Sequence, residues 1–143
     1  MSAWLADRMA IEDLIARYNQ SLDYGDYEAY LACWCDDAIF EGLGLNLVGT
    51  AAIRTFTDSY DQRYRLRLNA LKHFTVNIHS VIDGDEAMSS SYLQLLTTGD
   101  KGAHILFTGR YHDKLRRVDG QWRFAHRRMV QDMPRVAAPS AGQ

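Results

Sequence analysis

Apolar positions along the chain follow two rhythms. Ile11, Leu14, Ile15, Tyr18 and Leu22 fall at i, i+3, i+4, i+7 and i+11, the stripe of one buried helical face, while Asp7, Arg8, Glu12, Asp13 and Arg17 lie off it. Asp23-Tyr24-Gly25-Asp26 is turn chemistry, so the helix is expected to stop near Leu22, with Asp26 capping the next one. That second helix, Tyr27 to about Trp34, offers Tyr27, Tyr30, Leu31 and Trp34 as its apolar side. Asp36-Asp37 ends it, Ala38 to Glu41 begins a strand, and Gly42 to Gly49 reads as a glycine-rich connection. Thr50 caps a third helix, whose Ile53, Phe56, Tyr60 and Tyr64 keep helical spacing.

From Lys72 the period becomes two. Phe74, Val76 and Ile78 alternate with His73, Thr75 and Asn77. Asp83-Gly84-Asp85 signals a hairpin, Ala87 to Thr98 the returning strand, Ala103 to Arg117 a long third strand and Trp122 to Val130 the last, after a turn at Val118 to Gln121. Three helices followed by an antiparallel meander predict an α+β fold, with the helices packed on a strongly curved sheet. Strands this long must coil, and the expected result is a half-open, cone-shaped barrel with a cavity between sheet and helices. The domain is expected over residues 1–135, and the Ala-, Pro-, Ser- and Gly-rich residues 136–143 read as a flexible tail.

Composition excludes some classes. A formal charge of -2 gives no electrostatic reason to expect a nucleic-acid partner, and the basic run Arg110 to Arg117 is offset by Asp113 and Asp119, which reads as a solvated strand face. No stretch approaches the ~18 consecutive apolar residues of a membrane span, and no secretory signal is evident at the N-terminus. Cys33 and Cys35 read as two reduced thiols, which fits a cytoplasmic location. No His/Asp/Glu set shows metal spacing and no glycine loop resembles a phosphate cradle, so neither metal nor cofactor is expected.

The order and spacing of several short motifs resemble the SnoaL-like branch of the nuclear-transport-factor-2-like superfamily. They are Ile11-Glu12-Asp13-Leu14-Ile15-Ala16-Arg17-Tyr18 with Asp23, Asp36-Asp37-Ala38, Lys72-His73-Phe74 with Asn77, Asp83-Gly84-Asp85-x-Ala87, Gly109-x-Tyr111-x-Asp113 and Trp122 to Arg128. The likeness runs from about Met9 to Asp132 and is nearest to the scytalone dehydratase, bile-acid 7α-dehydratase and hexachlorocyclohexane dehydrochlorinase group. It implies a cofactor-independent lyase or isomerase in which Asp23 and His73 form a pair inside the cone. Tyr18 matches a tyrosine of the bile-acid enzymes. Without the resemblance, the residues favour a surface histidine at 73 on a polar strand face and a turn aspartate at 23. Relatives of this kind also include the non-catalytic small subunits of ring-hydroxylating dioxygenases, so a small-ligand-binding or assembly module is the alternative. An epoxide hydrolase or polyketide cyclase is a third reading, but its Asp-Arg-Asp set needs a second inward aspartate.

Around the pair, Tyr18 is expected to present a phenol to the cavity. Trp122, Phe124, His126, Arg128 and Val130 share one face of the last strand, so His126 and Arg128 are expected in the cavity wall, with Arg127 replacing Arg128 if a bulge shifts the register. Asn77 shares the His73 face. Ile105, Phe107, Gly109, Tyr111 and Leu115 are the apolar set of the third strand, with His104 and His112 opposite. Trp34, Phe40, Phe56 and Phe124 are expected to line a pocket for a small apolar cyclic ligand. Exposed strand faces and the family likeness predict a homo-oligomer, dimer or trimer.

Overall fold

A computed structural model of the chain describes residues 1–133, so the expected tail at 136–143 and the domain boundary at 135 lie outside the described residues. Helix α1 spans Ala3–Tyr24, α2 Tyr27–Ala32 and α3 Thr50–Tyr60, the last continuing into a π-helical turn, Asp61–Arg65. The strands are β1 (Trp34–Gly42), β2 (Leu45–Val48), β3 (Lys72–Asp83), β4 (Glu86–Gly99), β5 (Gly102–Val118) and β6 (Gln121–Gln131). They form one sheet of six in the order β2-β1-β6-β5-β4-β3. The expected meander is β3 to β6, all antiparallel, and β1 extends the sheet by pairing parallel to β6. The sheet stays open, with β2 and β3 at its borders, and the helices fill its concave side.

The stripe of α1 packs as its period dictates: Ile11, Leu14, Ile15, Tyr18 and Leu22 are all buried. Ser2 caps its start by accepting from the Leu5 N–H at 3.2 Å. Its end lies two residues beyond Leu22, because Gly25 at φ 78° is what closes the helix, its N–H donating to the Ser21 carbonyl. That extension puts Asp23 inside the last helical turn. A Cβ at Gly25 would lie 2.8 Å from the Arg65 guanidinium, which Asp61 holds bidentate at 2.6 and 3.0 Å and which docks the π-helical turn on this corner. Gly25→Ala is therefore expected to cost about 1–2 kcal/mol, read from the urea unfolding midpoint, since both the left-handed backbone and the space are denied to alanine.

Asp26 caps α2 as expected, accepting from the Ala29 N–H at 3.2 Å. Several boundaries differ from the sequence reading. Trp34 begins β1 rather than ending α2, and Asp36-Asp37 lie within that strand, where its pairing with β6 is irregular. The glycine-rich connection contains β2, whose Leu47 and Leu45 pair with Phe40 and Gly42. Thr50 does not cap α3. Gly49 occupies that position, and the Thr50 hydroxyl donates to the Asp36 carbonyl at 3.0 Å, tying the helix to β1.

Three irregularities decide which side chains face inward. Between Val76 and His79, β3 carries an extra residue relative to β4, and Asn77 sits there at φ 55°. His73 and Thr75 face the helices before it, and Ile78, Ser80 and Ile82 after it. Between Lys114 and Leu115 the partner strand β6 is irregular at Ala125, so the inward set passes from Trp122 and Phe124 to Arg127 and Met129. At Leu106 the β4–β5 ladder shifts again, which leaves Ile105 exposed although its spacing matches Phe107 and Tyr111.

Candidate functional site

Asp23 on the last turn of α1 meets His73 at the start of β3. The Asp23 Oδ1 to His73 Nδ1 distance is 2.6 Å, and Asp23 Oδ2 accepts the His73 backbone N–H at 3.0 Å. Each side chain is only 9% exposed. An ionised carboxylate can only accept, so Nδ1 carries a proton, and in the neutral ring Nε2 is the nitrogen that keeps its lone pair. The placement is costly for a carboxylate, because a helix C-terminus carries partial negative charge and α1 has no basic residue in its last turn. Two hydrogen bonds to one residue offset that cost. Beside the pair, Asn19 Nδ2 donates to Thr75 Oγ1 at 2.9 Å, a second bridge between α1 and β3.

His73 lines a cavity of about 190 Å³ between helices and sheet. Its wall is made of Leu22, Phe40, Phe56, Leu93, Leu95 and Met129, with the phenol-bearing rings of Tyr18, Tyr60, Tyr64 and Tyr111 among them. Leu43 from the β1–β2 turn and Leu106 from the β5 irregularity lie at its partly exposed rim. Burial pushes the Tyr18 phenol above its ordinary pKa, with the Arg127 charge pulling it part of the way back. Burial raises Tyr60 and Tyr111 likewise. These groups stay protonated and can donate over the whole physiological range.

Beneath Tyr18 and Tyr111 lies a buried ion pair. Arg127 Nε and Nη2 donate to the two Asp113 oxygens at 2.8 and 3.0 Å, and both side chains are 0% exposed. Burial raises the Asp113 carboxyl, opposed by the Arg127 charge beside it. The guanidinium carbon also sits 3.7, 4.2 and 4.3 Å from the ring centroids of Tyr111, Phe124 and Tyr18. Those faces stand where Arg127 Nη1 has no hydrogen-bond partner. Asp113, read from sequence as part of a solvated face, is therefore core. Its spacing between Tyr111 and Leu115 on the inward parity of β5 was the available signal.

Other residues expected in the wall are elsewhere. Arg128 and His126 fall on the outer sheet face because of the irregularity at Ala125. Arg128 is exposed, and His126 Nε2 lies 2.8 Å from Glu41 Oε2. The inward arginine is Arg127. Asn77 is exposed at its bulge rather than beside His73. Of the four expected lining aromatics, Phe40 and Phe56 border the cavity. Trp34 and Phe124 lie deeper, packed against each other at 5.4 Å and against Tyr18 at 5.8 and 5.3 Å. Among the described residues no group of three or more His, Cys, Asp or Glu side chains is placed to hold a metal ion, and no helix is long and apolar enough to cross a membrane.

Comparison with known proteins gives the same outline. The profile of the SnoaL-like domain matches residues 3–128. No curated protein matches the chain. Among solved structures, a protein of unknown function from Mycobacterium tuberculosis is 31% identical at a TM-score of 0.82, over 97% of this chain and 79% of that one. A Novosphingobium aromaticivorans protein that carries the name of an aromatic ring hydroxylase is 30% identical at a TM-score of 0.77, over 91% and 92% of the two chains. A second from that organism, named for scytalone dehydratase, shares the fold at 23% identity and a TM-score of 0.76, over 97% and 96%. The fold common to such structures is the cystatin-like, nuclear-transport-factor-2-like one.

Proposed function

Because the chain belongs to the SnoaL-like domain family, we propose that it is a cofactor-independent lyase or isomerase in which His73, oriented by Asp23, takes a proton from a small cyclic, mostly apolar substrate. The observation that carries this reading is the 2.6 Å contact between the two side chains at the wall of an apolar cavity. With Nδ1–H bound to the carboxylate, Nε2 accepts the substrate proton and Asp23 stabilises the imidazolium that forms. The electrons of the broken C–H bond then form a C=C bond. In an elimination the C–O bond breaks and the imidazolium gives its proton to the departing hydroxyl, which leaves as water, and in an isomerisation the imidazolium returns the proton to another carbon. Tyr18 donates to the substrate oxygen on which negative charge grows. Arg127 stands behind Tyr18 and makes its phenol a better donor.

The hydrolase reading fits less well. A second inward aspartate does exist, but Asp113 is enclosed with Arg127 under the rings and does not border the cavity, so it cannot hold an attacking water there. Self-association is supported by the apolar outer face of β3 and β4, where Phe74, Val76 and Tyr92 are 47%, 46% and 56% exposed.

The test is an assay on hydroxylated cyclic ketones with the wild-type and Asp23→Asn proteins. The amide keeps the shape but not the charge that stabilises the imidazolium, and kcat is expected to fall by roughly 10²-fold or more. In the wild-type pH profile, Tyr18 is expected to contribute no alkaline decline below about pH 10, since its pKa is raised and its proton is lost only above the ordinary value. Equal turnover by Asp23→Asn would leave the cone as a binding module.

A further inference from the structure

We infer that Asp113 determines specificity from beneath the cavity: by neutralising Arg127 it restricts the site to neutral oxygen-bearing rings, such as cyclic ketones, enones and phenols, and excludes the corresponding carboxylates. This rests on the cavity being the substrate site and adds the charge of the substrate to that reading.

Size comes first. An apolar cavity of about 150 Å³ is known to admit benzene, so about 190 Å³ suits one ring or two fused ones. Charge comes second. No lysine, arginine, aspartate or glutamate borders the cavity among the described residues. The cation behind its tyrosine wall, Arg127, is bound bidentate by Asp113 and covered by the Tyr18, Tyr111 and Phe124 rings. The charge standing behind His73 is Asp23, of the same sign as a carboxylate. Against the neutral His73 ring, a carboxylate entering this space would lose its water and gain no counter-ion, and burial of an unpaired charge is strongly unfavourable. A ketone or phenol oxygen needs only a hydrogen-bond donor. Tyr18 and Tyr111 supply phenols on the side of the cavity that Arg127 underlies.

The arrangement also says how the filter would be lifted. Asp113→Asn keeps the size and one acceptor oxygen but leaves the guanidinium charge uncompensated. In a low-dielectric interior that charge acts through a single ring thickness.

The experiment titrates 2-naphthol, 1-tetralone and 2-naphthoate into wild type, Asp113→Asn and the charge-free pair Asp113→Leu with Arg127→Met. Binding is followed by calorimetry at pH 7, and a shift of the His73 imidazole proton resonance reports occupancy of the cavity. Wild type is expected to bind a neutral probe at least tenfold more tightly than 2-naphthoate. Asp113→Asn is expected to narrow that ratio at least tenfold, and the charge-free pair to keep the wild-type preference, which a merely structural role for Asp113 would not produce. Wild type binding 2-naphthoate as well as the neutral probes overturns the inference, as does failure of every neutral probe to bind. An Asp113→Asn ratio equal to that of wild type overturns it as well, and if that variant does not fold, Asp113→Ser, which also leaves the guanidinium uncompensated, is read by the same ratio. None of these readouts needs turnover, so neutral preference without any lyase or isomerase activity would sink the catalytic reading and leave this one standing.

Discussion

Turnover by a His73→Ala protein is expected to fall by roughly 10²–10⁴-fold with the fold intact. Among the described residues His73 is the one imidazole bordering the cavity, and Asp23 cannot replace it as base, because its carboxylate stands behind residue 73 and does not border the cavity itself. The substitution removes the ring but leaves the backbone N–H that donates to Asp23 Oδ2, so the joint between α1 and β3 keeps one of its two bonds. Circular dichroism and a thermal melt close to wild type, beside a collapsed kcat, would match the proposed role. Undiminished kcat on a substrate that the wild type converts would remove His73 from the chemistry.

Truncation of Asp113 to alanine is expected to destabilise the protein by about 3–5 kcal/mol, the usual cost of leaving one partner of a buried ion pair alone. Arg127 would retain its three aromatic neighbours, but ring faces replace a carboxylate poorly for a fully enclosed cation. The loss should show as a lower urea midpoint with little change in slope. Removing both charges together, as Asp113→Leu with Arg127→Met, is expected to recover most of it, because an apolar pair of similar volume needs no mutual compensation. A midpoint for Asp113→Ala equal to that of wild type would mean that the pair contributes nothing to folding.

The sequence disclosed whatever obeys an unbroken period. The stripe of α1 and the four-strand meander are read directly from spacing, and both stand in the fold. Asp23 and His73 were legible only through the family likeness, since neither a turn-like aspartate nor a histidine on a polar face announces a cavity. What escaped lies downstream of local irregularities. One additional residue at Ala125 moves the inward arginine from 128 to 127, and the bulge at Asn77 turns that side chain to solvent. No residue in Phe124-Ala125-His126 marks a bulge, whereas Asn77, a residue type that tolerates the left-handed backbone it adopts at φ 55°, was the available signal in Val76-Asn77-Ile78. Trp34 escaped for another reason: helical spacing after Tyr27 continued onto a residue that the parallel pairing with Phe124 takes into a strand. Asp113 was missed because charge was allowed to outweigh parity.

The carboxylate that grips both the ring and the main chain of residue 73 does so on a border strand of an open sheet. With Arg8, which donates to the Ile78 carbonyl at 3.1 Å, it occupies polar groups that would otherwise stand ready to zip onto a stranger's backbone. Loss of the Asp23 carboxylate would thus uncover a seam along which molecules can stick together, whatever the pair does in the cavity.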